Sequence, residues 1–293
     1  IFILFATSIF AQTTNRALKG VQGTSYKKWH PGHYMLVPND AHQSEFDIIF
    51  DSQYWLGVQV RYDWIDLEPQ KGQYDFSKIQ NDIDYLSKHG KRLVIQLQRH
   101  DRSSIPVPEY MVTDEYGGGW ERFPDKSGGT ARMWDARVMD RFVLLLEAMA
   151  AELDTNPWLE AVVLSETAIS GKQKMDGYTN EKYSTELQKM VVAAGTAFQN
   201  TVSILYGNWL PPELHEVLGK TCYENGVGWG GPDSPNLFSW FTNDRNGYGT
   251  AQQYAGKIVL GYAVQISGYC DGEYGCWTPQ EMLDWANNNL KVN

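Results

Sequence analysis

Short runs of apolar and β-branched residues recur along the chain and alternate with longer stretches whose apolar positions share one helical face. The runs cover residues 33–37, 56–61, 92–98, 161–165, 202–206, 226–229 and 258–264. Several are almost continuously apolar, as strands are when helices cover both faces of a parallel sheet. Between them, Ile79, Ile83 and Leu86 fall on one face, as do Val138, Phe142, Leu145 and Met149, and also Tyr183, Leu187, Met190, Ala194 and Phe198. Start and stop signals bracket these helices. Ser77 with Gln80 reads as a capping box and Gly90 as a stop; Asp135 reads as an N-cap with Pro157 beyond the helix end; Thr278, Pro279 and Glu281 mark a third start. Strand–helix alternation without a linker or low-complexity segment predicts one parallel α/β domain. The expected fold is a (β/α)8 TIM barrel truncated before its eighth strand, because only seven strand runs are present; a seven-stranded or open barrel is the alternative.

The first residues, IFILFATSIFAQ, form a short apolar run ending in small residues. They read as the tail of a signal peptide whose start is missing, with cleavage after Ala11. Residues 1–11 are therefore expected to be a leader remnant, and residues 12–293 a secreted or periplasmic catalytic domain. No later run approaches ~18 apolar residues, so no membrane span is expected in the mature chain. The 25 basic and 35 acidic residues leave a net charge of −10 without a basic stripe, which argues against nucleic acid as a partner. In an exported protein Cys270 and Cys276 suit a small disulfide-closed loop and Cys222 a free thiol; three unpaired thiols are the alternative.

Aromatic residues change the picture more: there are 11 Trp, 17 Tyr and 11 Phe, too many to ignore as ligand lining. Trp64, Trp120, Trp134, Trp209, Trp229 and Trp240 fall in loops or at strand ends, where flat rings suit the faces of sugar rings. Core packing is the competing reading for each.

In a parallel barrel, functional groups gather at the C-terminal ends of the strands. Those positions hold Arg61 and Asp63, then Gln98, His100 and Asp101, then Ser165, Glu166 and Thr167. Tyr206, Asn208 and Trp209 follow, then Trp229 and Asp233, and finally Gln265 with Asp271 and Glu273 in the loop beyond. Glu166 stands out because AVVLSETA puts a carboxylate directly after a buried apolar strand. A low-dielectric neighbour favours the protonated form of a carboxyl group, which suits a general acid. A structural Glu paired with a nearby Arg is the competing reading. His100 with Asp101 is a candidate for a sugar hydroxyl or for a structural role. The six histidines are scattered and form no HExxH pattern, so no catalytic metal is expected. GVGWGG lacks the Lys and helix start of a phosphate-binding loop, and no Gly-x-Ser-x-Gly elbow is present.

The stretch GVQVRYDWIDLEPQKGQYDFSKI, followed by KRLVIQLQ, resembles the second and third βα units of barrels in the glycoside hydrolase superfamily. There a strand is followed by Trp, then Glu-Pro, then Gly-x-Tyr-x-Phe and a helix. The resemblance covers the first half of the chain well and the second half poorly. It implies an acid/base role for Glu166 at the end of the fourth strand, a supporting role for Arg61 beside the nucleophile, and a structural Glu-Pro turn at Glu68. It also implies a carbohydrate substrate and no cofactor. Two departures stand against the large retaining clan of that superfamily: Ser165 replaces the usual Asn before the acid/base, and Gln265 stands where the seventh-strand nucleophile belongs. Asp233 is then the first candidate for the second carboxylate, ahead of Glu273 and Asp271.

The expected function is cleavage of O-glycosidic bonds in a poly- or oligosaccharide by carboxylate acid/base catalysis. Glu166 and Asp233 are expected to be catalytic, and Arg61, His100, Asn208, Trp209, Trp229 and Gln265 to bind substrate. Two alternatives stay open: a non-hydrolytic glycan-binding barrel that has lost its nucleophile, and a lyase on acidic sugars. The lyase would use Tyr206 or His100 as base, with Arg61 or Arg99 holding the sugar carboxylate.

Overall fold

Seven parallel strands hydrogen-bond to one another in sequence order. They are β1 (His33–Val37), β2 (Trp55–Asp63), β3 (Arg92–Gln98), β4 (Leu159–Leu164), β5 (Val202–Tyr206), β6 (Gly228–Gly231) and β7 (Leu260–Tyr262). The computed structural model describes residues 18–19, 26–37, 42–232, 234, 246–264, 270–271, 275–276 and 278–292. Among the described residues, a helix of seven or more residues follows each of strands β2 to β7: α1 (Ser77–Ser87), α2 (Ala136–Leu153), α3 (Asn180–Ala197), α4 (Pro212–Glu224), α5 (Tyr248–Tyr254) and α6 (Pro279–Trp285). The sheet curls as the greater part of a (β/α)8 barrel, and among the described residues β1 and β7 are its two edges. Residues 1–11, residues 272–274 of the loop expected to carry a disulfide, and the side chains of Cys270 and Cys276 lie outside the described residues. Cys222 is a buried free thiol.

The two-residue period of the strands separates two cores. On the outer face, Val58, Val60, Leu93, Ile95, Leu97, Val162, Leu164 and Leu205 pack with the helices, including Val138, Phe142, Leu145 and Met149 of α2. On the inner face, Val94, Ala161, Val163, Val202, Ile204, Tyr206 and Val259 fill the barrel, with Trp29 and Tyr34 packed against them. Further along β2 and β3 the inner positions turn polar, at Gln59 and Gln96. Gln59 Nε2 donates to Gln96 Oε1 at 2.7 Å, and Tyr206 Oη donates to Gln59 Oε1 at 3.2 Å. These buried amides and the phenol satisfy one another across three strands, as a dry interior requires.

Strand boundaries shift modestly from the expected runs. Strand β2 extends to Asp63 because its pairing with β3 continues to Asp63 opposite Gln98, whereas β7 shortens to Leu260–Tyr262 at the sheet edge. Asp135 caps α2 by accepting from Arg137 N, and Thr278 with Glu281 forms a true capping box. The box expected at Ser77 does not form. Ser77 is already helical, Asp75 Oδ1 accepts from its amide at 2.9 Å, and the Gln80 side chain reaches Glu152 on α2 instead.

The N-terminal end of the barrel is closed by the segment before β1. Lys28 bridges to Thr201, with Nζ 2.6 Å from Thr201 Oγ1. Fully buried Glu160 accepts from His30 N at 2.5 Å, and its other oxygen lies 2.8 Å from His30 Nδ1. Asp154 then joins α2 to the turn before β5. Its carboxylate accepts from the backbone amides of Gln199 at 2.9 Å, Asn200 at 3.0 Å and Thr201 at 2.8 Å. Removing it strands three amides at a buried site, each costing on the order of 1 kcal/mol or more. Asp154→Ala is expected to destabilise the fold by about 3 kcal/mol in urea unfolding, with little change in the unfolding slope.

Candidate active site

Glu166 follows β4 directly, and the chain there is tied to the end of β5. Thr167 N donates to the Tyr206 carbonyl at 3.0 Å, Asn208 N donates to Thr167 Oγ1 at 2.8 Å, and Ala168 N donates to Asn208 Oδ1 at 3.0 Å. With its Oδ1 so occupied, the buried Asn208 amide turns its Nδ2 to Glu166 Oε2 at 3.3 Å. Behind Glu166 sits Arg99, which has no exposed surface. Its guanidinium donates to the Glu166 backbone carbonyl, to Tyr183 Oη at 2.7 Å and to Thr130 Oγ1 at 3.1 Å. Tyr183 Oη in turn donates to the Thr167 carbonyl at 2.9 Å. The main chain of Glu166 is thus clamped from α3, β3 and β5, the preorganisation a reacting carboxylate needs. Arg99 therefore lies outside the sheet and cannot hold a substrate carboxylate, correcting one expectation. The strand pleat is the cause: Leu97 faces the helices, and Arg99, two residues on, follows it.

Arg61 is half-buried at the end of β2, on the inner face shared with Gln59. Its Nε is sealed from solvent and has no hydrogen-bond partner. The resemblance implied a carboxylate beside it, yet Arg61 makes no ion pair among the described residues. His100 pairs through its backbone with Thr130 in a small antiparallel sheet formed by His100–Asp101, Trp120–Arg122 and Gly129–Ala131. Burial, and then the charges of Arg99, Arg61 and Arg102, hold the His100 imidazole down at about 4. It is neutral near pH 7, and its buried Nδ1 has no partner. Asp101 shapes the turn after this strand, accepting from the amides of Ser103 at 2.5 Å and Ser104 at 2.8 Å. Burial pushes Tyr206 up to about 12, so its phenol stays protonated and is a poor base. That weakens the lyase alternative.

The tryptophans divide by side of the sheet. Trp229 is completely buried on the outer face, donates Nε1 to the Gly247 carbonyl at 3.1 Å and meets His215 edge-on. Its expected contact with substrate is corrected: β6 has Gly228 and Gly230 on the inner face and Trp229 between them, so the ring must point to the helices. Trp64 and Trp134 are also core residues. Trp209 is different. It is 39% exposed after β5, with φ at +56° in the left-handed region, and its carbonyl accepts from Lys172 Nζ at 3.0 Å. Strained backbone of this kind costs on the order of 1–3 kcal/mol and clusters at functional sites. Glu68 is fully buried in the Glu-Pro turn, accepting from Trp64 Nε1 at 3.1 Å, from Gly72 N at 2.9 Å and from Arg141. It is structural, as expected.

The structure therefore brings Glu166, Asn208, Arg61 and His100 to one end of the barrel, with Trp209 at its rim. Asp233, Gln265, Glu273 and Trp240 lie outside the described residues, as does the side chain of Asp271. Sequence reasoning missed the Arg99–Tyr183–Thr130 clamp. Its only signal was a charged residue one step beyond an apolar strand, the same signal that a solvent-facing Arg gives. Among the described residues no group of three His, Cys, Asp or Glu side chains is placed to hold a metal ion, and no helix is long and apolar enough to cross a membrane.

No protein-family model and no curated protein matches the chain. Solved structures do. Endo-glycoceramidase II from Rhodococcus sp., in a cellobiose-like isofagomine complex, is similar over 93% of this chain and 81% of that one, at 12% identity and a TM-score of 0.52. GH5_18 from Streptomyces cattleya, in a complex with Manβ1-4GlcNAc, is similar over 76% of this chain and 54% of that one, at 15% identity and a TM-score of 0.51. The β-galactosidase from the psychrophilic Marinomonas ef1 is similar over 72% and 42%, at 9% identity and a TM-score of 0.50. The fold is that of glycoside hydrolase barrels.

The lowered His100 value fixes a sign. The unfolded chain binds a proton at His100 near the ordinary value of 6.5, and the folded chain only near 4. Folding stability from this group is therefore present above about pH 6.5 and is lost as pH falls toward 4, by at most about 3 kcal/mol. His100→Gln is expected to flatten the decline in stability between pH 6.5 and 4, read from urea midpoints across that range. An unchanged decline would remove His100 as its source.

Proposed function

We propose that this chain is a glycoside hydrolase acting on a poly- or oligosaccharide, with Glu166 as its general acid. The observation that carries the reading is the setting of Glu166. It is a carboxylate at the C-terminal end of β4, clamped through its backbone by Arg99 and met by the Asn208 amide, in a fold shared with glycosidases. Cleaving a glycosidic bond builds positive charge at the sugar carbon while the leaving oxygen takes a proton. Glu166 supplies that proton. A second carboxylate attacks the carbon or activates water, and Asp233, on the stretch after β6, is the residue proposed for it. Trp209 offers an exposed ring for stacking at the rim. The leader-like run before residue 12 supports export to a secreted or periplasmic location.

Glu166→Gln keeps the size of the side chain and its contact with Asn208 but removes the proton donor. Turnover of a glycan panel by purified protein is expected to fall by about 10²–10⁴-fold, the usual worth of general acid–base catalysis, with little change in ligand affinity. Equal turnover by variant and wild type would remove Glu166 from the mechanism. Sugar binding by the wild type without any turnover would favour the glycan-binding alternative.

A further inference from the structure

The mouth of the barrel carries unspent hydrogen-bonding groups on three neighbouring strand ends. Arg61 Nε, Gln98 Oε1, His100 Nδ1 and Ser165 Oγ are all sealed from solvent, and none has a partner. Ser165 is only 1% exposed. Strand register places three of these groups together. Arg61 pairs with Gln96 across β2 and β3, and Gln96 pairs with Val163 across β3 and β4. Gln98 and Ser165 are one pleat beyond Gln96 and Val163, on the same inner face. The charge of Arg61 also reaches His100, helping to hold its imidazole neutral. Buried polar groups are nearly always satisfied, so such a cluster at the catalytic end of a barrel marks where a ligand supplies the missing bonds.

The chemistry of the set is uneven, and this selects among ligands. In a chain of net charge −10, the charges of Arg99, Arg61 and Arg102 all act on His100. Arg99 gives its two terminal nitrogens to carbonyl and hydroxyl oxygens behind Glu166, leaving only its buried Nε without a partner. Arg61 is partly out of water and makes no ion pair among the described residues. A neutral sugar would fill the acceptors but leave that guanidinium uncompensated, and an unpaired half-buried charge is costly. A uronate ring meets both needs, with a carboxylate for the cation and hydroxyls for the acceptors.

We infer that this site takes an acidic, uronate-containing glycan, with Arg61 receiving the sugar carboxylate. Ser165 donates a second hydrogen bond to that carboxylate, and Gln98 and His100 take ring hydroxyls. The inference rests on the glycosidase reading for its chemistry but not for its binding. Charge-assisted hydrogen bonds are short and about twice as strong as neutral ones, so the carboxylate is worth about a tenfold or greater gain in affinity.

The test compares oligosaccharides of glucuronate, galacturonate and mannuronate with the same oligosaccharides after reduction of each carboxylate to the primary alcohol. Binding to the Glu166→Gln protein is read by calorimetry, and cleavage by the wild type is read in parallel. At least one uronate ligand is expected to bind tenfold or more tightly than its reduced form. Arg61→Gln, made on the same background, is expected to abolish that ratio, and Arg61→Lys to keep part of it. Thermal melts confirm that each variant is folded, and the unmutated comparison stands without them. Equal or weaker binding of every uronate ligand, or no binding at all, overturns the inference even if neutral glycans are cleaved. Preferential uronate binding without cleavage supports it while overturning the glycosidase reading.

Discussion

The guanidinium of Arg99 is the interaction on which the arrangement of the site depends. A charge with no solvent contact and no carboxylate partner must be met by oxygen dipoles or it destabilises the fold. Here the dipoles come from Thr130 in the small antiparallel sheet, Tyr183 on α3 and the backbone of Glu166. The need to satisfy one buried cation therefore draws the long segment after β3, the loop after β4 and a core helix to a single point. Glu166 is held by its main chain, which leaves its side chain free to meet Asn208 and the open end of the barrel.

The other side of the sheet obeys the opposite logic. Gln59, Gln96 and Tyr206 satisfy one another within the barrel, so the interior below the site is tied together by its own side chains. One pleat higher, the corresponding groups of Arg61, Gln98 and Ser165 have no such partners. The change from paired to unpaired polar groups along the same strands marks the boundary between core and site. The opposite end is closed by Trp29, Tyr34 and the His30–Glu160 contact.

Much of the fold was legible because its signals are local. Apolar runs, helix faces, the Asp135 cap and the Thr278–Glu281 box depend on residues a few positions apart. Glu166 was legible for a related reason, since a carboxylate ending a buried strand in a parallel barrel has one place to go. Trp229 was misread because its side of the sheet hangs on strand parity in GVGWGG. Glycines give no hydrophobic alternation, so nothing local says which residues point inward. The capping box at Ser77 failed over a one-residue difference in where the helix begins. The clamp around Arg99 was invisible, because Thr130, Glu166 and Tyr183 lie tens of residues away in the chain.

The sequence by itself determined the succession of strands and helices, the outer core and the position of Glu166 at a strand end, because period and sterics act over short distances. The tertiary structure decided which Arg is buried as a clamp and which is left unpaired at the mouth. It also decided which Trp faces the rim and which the core. Those outcomes turn on which side of a pleated sheet each residue occupies and on partners far along the chain, and neither is settled until the sheet has curled and the helices have packed against it.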